Sequence, residues 1–169
     1  MFWFDKANPA TLFCDNREFS GELCDGRKFE VKPDMVCDFA ALPFDDASFY
    51  HVVFDPPHLT RNTGNSKMAA IYGSLSEKAA PNGYQMIKYG ELYSDWKDML
   101  TKGFSECFRV LKPFGTLVFK WSDIDIKVSE VLALSPIKPL YGHRSGKRSK
   151  THWICFMKLP QGGDWTWLH

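Results

Sequence analysis

The sequence lacks the features that mark membrane, secreted and zinc-binding proteins. No apolar run approaches the ~20 residues that a helix needs to span a bilayer, and residues 1–6 show no basic region followed by an apolar core. The five cysteines form no C-x-x-C pair and are odd in number, which argues against a zinc site or a disulfide framework. We therefore predict a cytoplasmic protein without a metal site or a membrane partner.

Net charge is also nearly absent, at +1 for 169 residues, but the cations are unevenly distributed. One short segment, residues 143–152, contains Arg144, Lys147, Arg148 and Lys150. Without these four cations the rest of the chain would carry a formal charge of −3. One basic cluster on a mildly acidic body predicts a local contact with a polyanion, although a solvated surface loop gives the same pattern.

The most informative stretch is residues 49–58, which ends in Asp55-Pro56-Pro57-His58. The apolar residues 52–54 predict a buried strand that ends at Asp55. The two prolines lack amide hydrogens and keep the chain extended after the strand. Ligands of open α/β sheets bind at the carboxyl ends of the strands. Asp55 and the Pro56 carbonyl could accept both hydrogens of a planar NH2 group there, with His58 as a stacking surface; the alternative is an ordinary turn capped by Asp55.

Three segments resemble motifs of one enzyme family. Residues 55–58 resemble the [D/N/S]-P-P-[aromatic] motif of class I S-adenosylmethionine-dependent amino-methyltransferases. Residues 38–49 resemble that family's D-x-x-x-LPF-x-D-x-SF-D segment, and residues 106–117 resemble its RVLKPGG-x-L turn between a helix and a strand. The resemblance covers residues 38 to about 121. As a whole the chain is similar to small methyltransferase-like proteins carried by phages and prophages.

The resemblance implies an α/β fold with a Rossmann-like, mostly parallel sheet and an antiparallel C-terminal strand. The family's Gly-rich cofactor loop has no counterpart, since the sequence contains no G-x-G. An Asp-Gly turn instead predicts a hairpin of residues 19–23 and 28–31 in place of the first helix. The implied cofactor is S-adenosylmethionine. Its binding residues would be Asp15 and Asn16 at the end of the first strand, Asp38 on the adenine amino group, and Phe39 and Ala40 beside the ring.

Local patterns predict the remaining elements within a single domain, residues 1–169, whose apolar content is 44%. Residues 59–94 are polar and rich in glycine, which predicts a mobile lid or substrate loop. Apolar residues at three- and four-residue steps predict a helix over 95–112 that is stopped by Pro113. The other predictions are strands at 10–15, 35–39, 115–121, 139–141 and 152–157, of which the last two form an antiparallel pair, a helix at 128–134, and a tail at 161–169.

The family resemblance implies methyl transfer to an exocyclic amino group of a nucleic-acid base, either adenine N6 or cytosine N4. DNA is the expected partner in preference to RNA. Lys120 and Trp121 would lie at the same sheet edge as Asp55, and the expected contacts to the nucleic-acid backbone are Arg144, Lys147, Arg148 and Lys150. Two alternatives stay open, because His58 departs from the family's usual aromatic residue and the Gly-rich loop is missing. These are a binding module without activity and a protein glutamine N-methyltransferase.

Overall fold

The computed structural model describes residues 3–5, 7–22, 26–59 and 96–160. The predicted lid beyond Leu59 and the predicted tail at 161–169 lie outside the described residues. The described part contains eight strands and two helices. They are β1 (Cys14–Asp15), β2 (Phe19–Glu22), β3 (Lys28–Val31), β4 (Met35–Val36), β5 (Phe49–Phe54), α1 (Trp96–Val110), β6 (Leu111–Ser122), α2 (Val128–Leu132), β7 (Tyr141–Arg144) and β8 (Thr151–Met157). Neither helix has the length and hydropathy that crossing a membrane requires.

The largest sheet has four strands in the order β5-β6-β8-β7. Strands β5 and β6 are parallel, while β8 is antiparallel to both β6 and β7. Three strands of this sheet therefore run in one direction, and β8 runs against them. The predicted antiparallel pair at the C-terminal end is confirmed, although its first strand begins at Tyr141 and not at Pro139.

The N-terminal strands form two smaller sheets. Strands β2 and β3 pair antiparallel, which confirms the predicted hairpin. Strands β1 and β4 are each two residues long and pair in parallel, with Asp15 opposite Val36. Within the described residues the strands therefore belong to three separate sheets, and the fold is a mixed α/β arrangement with few helices. The single Rossmann-like sheet is not confirmed, because the short β1–β4 ladder is not hydrogen-bonded to β5.

Helix α1 packs its apolar stripe against the large sheet. Its buried residues, together with those of β5, β6 and β8, form one core. The helix ends at Val110, two residues before the predicted end, and β6 begins at Leu111, four residues earlier than predicted. Proline disfavours the helical conformation of the residue before it, so Lys112 is extended. Leu111 is already paired with Phe49 of β5.

Arg109 at the end of α1 holds the loop that precedes β5. Its guanidinium donates to the carbonyls of Phe44 and Leu42 at 2.7 and 2.9 Å, and to the Asp46 carboxylate at 2.8 Å. The Glu106 carboxylate accepts from Arg109 Nε at 2.7 Å and from the Leu42 amide at 2.8 Å. These bonds lower the pKa of Glu106, chiefly through Arg109. We call this group the Arg109 clamp. It joins two of the three segments that carry the family resemblance.

Gly103 lets α1 approach the sheet closely. A Cβ at this position would lie 2.7 Å from Phe54 Cζ and 2.8 Å from Phe39 Cδ2. Both rings belong to the packed interior, with centroids 5.2 Å apart. The absence of a side chain at Gly103 therefore sets the distance between the helix and the strand that leads to Asp55.

We predict that Gly103→Ala lowers the free energy of unfolding by about 1–3 kcal/mol, the usual cost of overpacking. This is the reverse of the ~1 kcal/mol gain that alanine gives over glycine in an unconstrained helix. Urea unfolding of the two proteins measures the difference. Thr101→Ala, on the exposed side of α1, is the control and should change stability by no more than ~0.5 kcal/mol. A stabilised Gly103→Ala variant would contradict the close approach.

Candidate active site

The parallel register of β5 and β6 brings Asp55 and Lys120 together. Phe54 is paired with Phe119, so the next residue of each strand emerges at the same sheet edge. Lys120 Nζ donates to Asp55 Oδ2 at 2.6 Å. The side chains are 20% and 34% exposed, so the ion pair is in contact with solvent. Pro56 is buried directly after Asp55 and offers no amide donor to the carboxylate.

Asp55 and Lys120 line a cavity of about 330 Å³. This volume lies at the lower end of the range for small-molecule sites. Lys120 balances the charge of Asp55, and Lys150 contributes one further cation. The cavity is therefore suited to an anionic ligand that also carries a hydrogen-bond donor. Its lining residues are Asp55, His58, Lys120, Trp121, Ser122, Ile124, Lys150 and Thr151.

His58 lines the cavity but is largely enclosed, with 7% of its surface exposed. Its ring meets Trp121 edge to face, at 6.4 Å between centroids and 77° between planes. Burial is the main cause that lowers the pKa of His58. The charge of Lys120 also lowers this pKa, while the charges of Asp55 and Asp125 raise it. The imidazole is therefore neutral at pH 7. Little of the ring is open to the cavity, and its stacking role stays a prediction.

Trp121 forms a fixed wall of the cavity. It is 1% exposed, and its indole N–H donates to the Ile126 carbonyl at 3.0 Å. Its ring is stacked on Phe119 with 5.9 Å between centroids. These contacts make Trp121 a core residue that closes one side of the cavity, and a role in holding substrate stays a prediction.

Hydrogen bonds from the turn after β6 place Lys150 and Thr151 beside the cavity. The Asp123 amide donates to the Lys150 carbonyl at 2.9 Å, and the Asp123 carboxylate pairs with His152 Nε2 at 2.9 Å. Ser122 and Thr151 are directly opposite each other on β6 and β8. The end of the basic segment is thereby fixed next to the Asp55–Lys120 pair.

The residues predicted to bind the cofactor form a second group. Asp15 and Asp38 come to the same edge because β1 and β4 are parallel. Arg17 Nε and Nη2 donate to the two oxygens of Asp15, at 2.9 and 3.0 Å. Asp38 Oδ1 accepts from the Ala40 amide at 2.9 Å, and Oδ2 has no partner among the described residues. Phe39 packs against the core beneath Gly103.

The structure brings some of the predicted site residues together and leaves others apart. Asp55, His58, Lys120, Trp121 and Lys150 share the cavity. Asp15, Asn16, Asp38, Phe39 and Ala40 are not among its lining residues. The remaining members of the basic cluster do not line the cavity either. They are exposed on β7 and on the connection to β8, and they are Arg144, Lys147 and Arg148.

Three cavity residues were not predicted from the sequence. They are Ser122, Ile124 and Thr151. The two-residue period of a strand places Ser122 on the same face as Lys120, and this signal could have identified it. Thr151 depends on the register of β8 against β6, which no local pattern supplies.

We predict that His58 makes the folded protein less stable in mild acid. Because its pKa is lowered in the folded state, the unfolded chain binds a proton more readily, and stability falls as the pH drops below about 6.5. Urea unfolding at pH 7.5 and 5.5 should show a smaller loss for His58→Gln than for the unaltered protein. His143→Gln, on exposed β7, should lose as much as the unaltered protein. Equal losses in all three proteins would contradict the neutral, buried imidazole.

Comparisons with known proteins add little to what the geometry of the site indicates about its function. No protein-family model matches the chain, and no curated protein matches it. Three chains of solved structures match, among them a candidate DNA modification methylase from Thermus thermophilus. That match has 19% identity and a TM-score of 0.40, and it covers 72% of this chain and 49% of the other. The chain thus spans about half the length of that protein, and values this low do not establish a shared fold or activity.

Proposed function

We propose that the protein is an S-adenosylmethionine-dependent methyltransferase that acts on an exocyclic amino group of a nucleic-acid base, adenine N6 or cytosine N4. In this proposal the large sheet is the carboxyl-terminal part of a Rossmann-like methyltransferase sheet. The observation that carries it is the Asp55 carboxylate, which directly follows β5 and its buried last residue Phe54, precedes two prolines, and lines a cavity with two lysines. An acceptor at this position is what binding of a planar NH2 group requires.

Asp55 and the Pro56 carbonyl would orient the amine. A carboxylate has acceptor sites on both oxygens, so the contact of Lys120 with Oδ2 leaves Oδ1 for the substrate. When bound, S-adenosylmethionine supplies a sulfonium whose methyl group is ready for transfer. As the nitrogen displaces a neutral thioether from the methyl carbon, Asp55 would take the proton that the nitrogen loses. Alignment and exclusion of water account for most of the rate enhancement that these residues would give.

The residues at the β1–β4 edge would hold the methyl donor. Asp38 Oδ2 can accept from the adenine amino group, because only Oδ1 is used by the Ala40 amide. Phe39 directly follows Asp38 and is half-buried, and in this proposal it would pack beside the adenine ring. Asp15 is already paired with Arg17, which leaves the neighbouring Asn16 to contact the ribose or methionine portion. This donor set fits the adenosine portion of the cofactor.

The basic cluster would bind the nucleic-acid backbone. Arg144, Lys147 and Arg148 are exposed, and Lys150 continues the positive charge into the cavity. Ion pairs of this kind supply the sequence-independent part of nucleic-acid affinity. A base in duplex DNA would have to be flipped out to reach Asp55, at a cost of a few kcal/mol. Single-stranded DNA avoids this cost and is the favoured substrate for a first test.

A binding module without activity is the second candidate. It is favoured by the pairing of both Asp15 oxygens with Arg17 and by the packing of Phe39 against the core, since both occupy groups that a cofactor would use. In that case the basic cluster would bind nucleic acid, and the cavity would catalyse no methyl transfer.

We predict that Asp55→Ala lowers methyl transfer by at least ~100-fold, the scale seen when a group that stabilises the transition state is removed. Transfer of labelled methyl from S-adenosylmethionine to single-stranded DNA, to RNA and to a glutamine peptide measures the rate and the substrate class. Affinity for DNA should be nearly unchanged, because the expected phosphate contacts come from lysine and arginine side chains and not from Asp55. Asp98→Ala, on the exposed face of α1, is the control and should retain full activity. Equal rates for Asp55→Ala and the unaltered protein would refute the amine-holding role.

A further inference from the structure

Lys120 neutralises the carboxylate that the substrate amine needs. Its ammonium lies 2.6 Å from Asp55 Oδ2, which leaves Oδ1 as the oxygen that an exocyclic amine would contact. A carboxylate next to an opposite charge is a weaker base than an unpaired one. A neutral amine at Oδ1 would therefore be bound and deprotonated less readily while Lys120 holds Oδ2.

The same cavity contains groups that could bind an anion. The bound anion would then attract Lys120 away from Asp55. Lys150 lines it, and the hydroxyl-bearing residues Ser122 and Thr151 do so from facing positions of β6 and β8. Ammonium and hydroxyl groups are typical ligands of phosphate oxygens. Among the described residues that line the cavity, two lysines accompany one carboxylate, and both ammonium groups can serve as phosphate ligands.

Lys120 can also leave Asp55 without becoming buried and unpaired. The ion pair is partly exposed, with side chains 20% and 34% accessible, so water can reach the ammonium when it leaves the carboxylate. The lysine stem is flexible. Lys120 Nζ lies 5.9 Å from the centroid of the Trp153 ring, its cross-strand neighbour, and an aromatic face can support an ammonium.

We propose that Lys120 is a specificity-determining residue that couples recognition of the amine to recognition of a phosphate. A phosphate next to the target nucleotide draws Lys120 away from Asp55, and the carboxylate then accepts the exocyclic amine. The substrate is thus an amine carried by a nucleotide within a strand, and neither a free nucleoside nor a glutamine side chain meets both requirements. This inference rests on the proposed methyl transfer and identifies its substrate class.

The test uses single-stranded DNA oligonucleotides in which the phosphates flanking the target nucleotide are either normal or replaced by neutral methylphosphonates. For the unaltered protein we expect kcat/KM to fall roughly 10- to 100-fold on replacement, a typical size for coupling between two recognition events. For Lys120→Met the same replacement should change kcat/KM by less than about threefold, because no lysine then neutralises Asp55. Lys112→Met, at the opposite end of β6, should show the sensitivity of the unaltered protein.

Each outcome bears on one claim. An unaltered protein that is indifferent to the methylphosphonates overturns the role of Lys120, as does a Lys120→Met variant that is as sensitive as the unaltered protein. Lys120→Gln, which removes the charge and keeps a polar side chain, gives the same comparison if Lys120→Met fails to fold. An unaltered protein that methylates no oligonucleotide contradicts the proposed function itself, and the inference about Lys120 falls with it.

Discussion

The candidate site depends on one constraint, the parallel register of β5 and β6. Because Phe54 is paired with Phe119, Asp55 and Lys120 emerge beside each other at the same sheet edge. The register of β8 against β6 adds Thr151 opposite Ser122. The cavity is therefore made by three strand ends, and a shift of one residue in either register would reverse the faces of the strand and separate these side chains.

The segments that carry the family resemblance serve different physical purposes. Residues 42–47 and the end of α1 meet at the Arg109 clamp, where one guanidinium binds two backbone carbonyls and two carboxylates. This contact stabilises the chain just before β5 and touches no residue of the cavity. Of the third segment, Asp55 and His58 line the cavity, while the buried Pro56 between them is not among its lining residues. Two of the three motifs thus support the strand that presents the third.

Local patterns located most of the elements, although β1 and β4 are shorter than the predicted strands 10–15 and 35–39. The patterns also gave the shared edge of Asp55 and Lys120 without its contacts. The Asp-Gly hairpin, the amphipathic helix and the antiparallel pair follow from side-chain periodicity and turn residues, and the structure contains all three. The Lys120–Asp55 ion pair joins residues 65 positions apart, so it depends on a strand register that periodicity does not supply. For the same reason, the sequence could not indicate that the cavity would form without Asp15 and Asp38 in its lining.

The most direct test of the proposed function is a crystal structure of the protein with S-adenosylhomocysteine and a short single-stranded oligonucleotide that contains adenine and cytosine. We predict that the target amino nitrogen lies within hydrogen-bonding distance of the Asp55 carboxylate and that Lys120 Nζ contacts a neighbouring phosphate. A target base bound away from Asp55, with Lys120 still 2.6 Å from the carboxylate, would contradict this account.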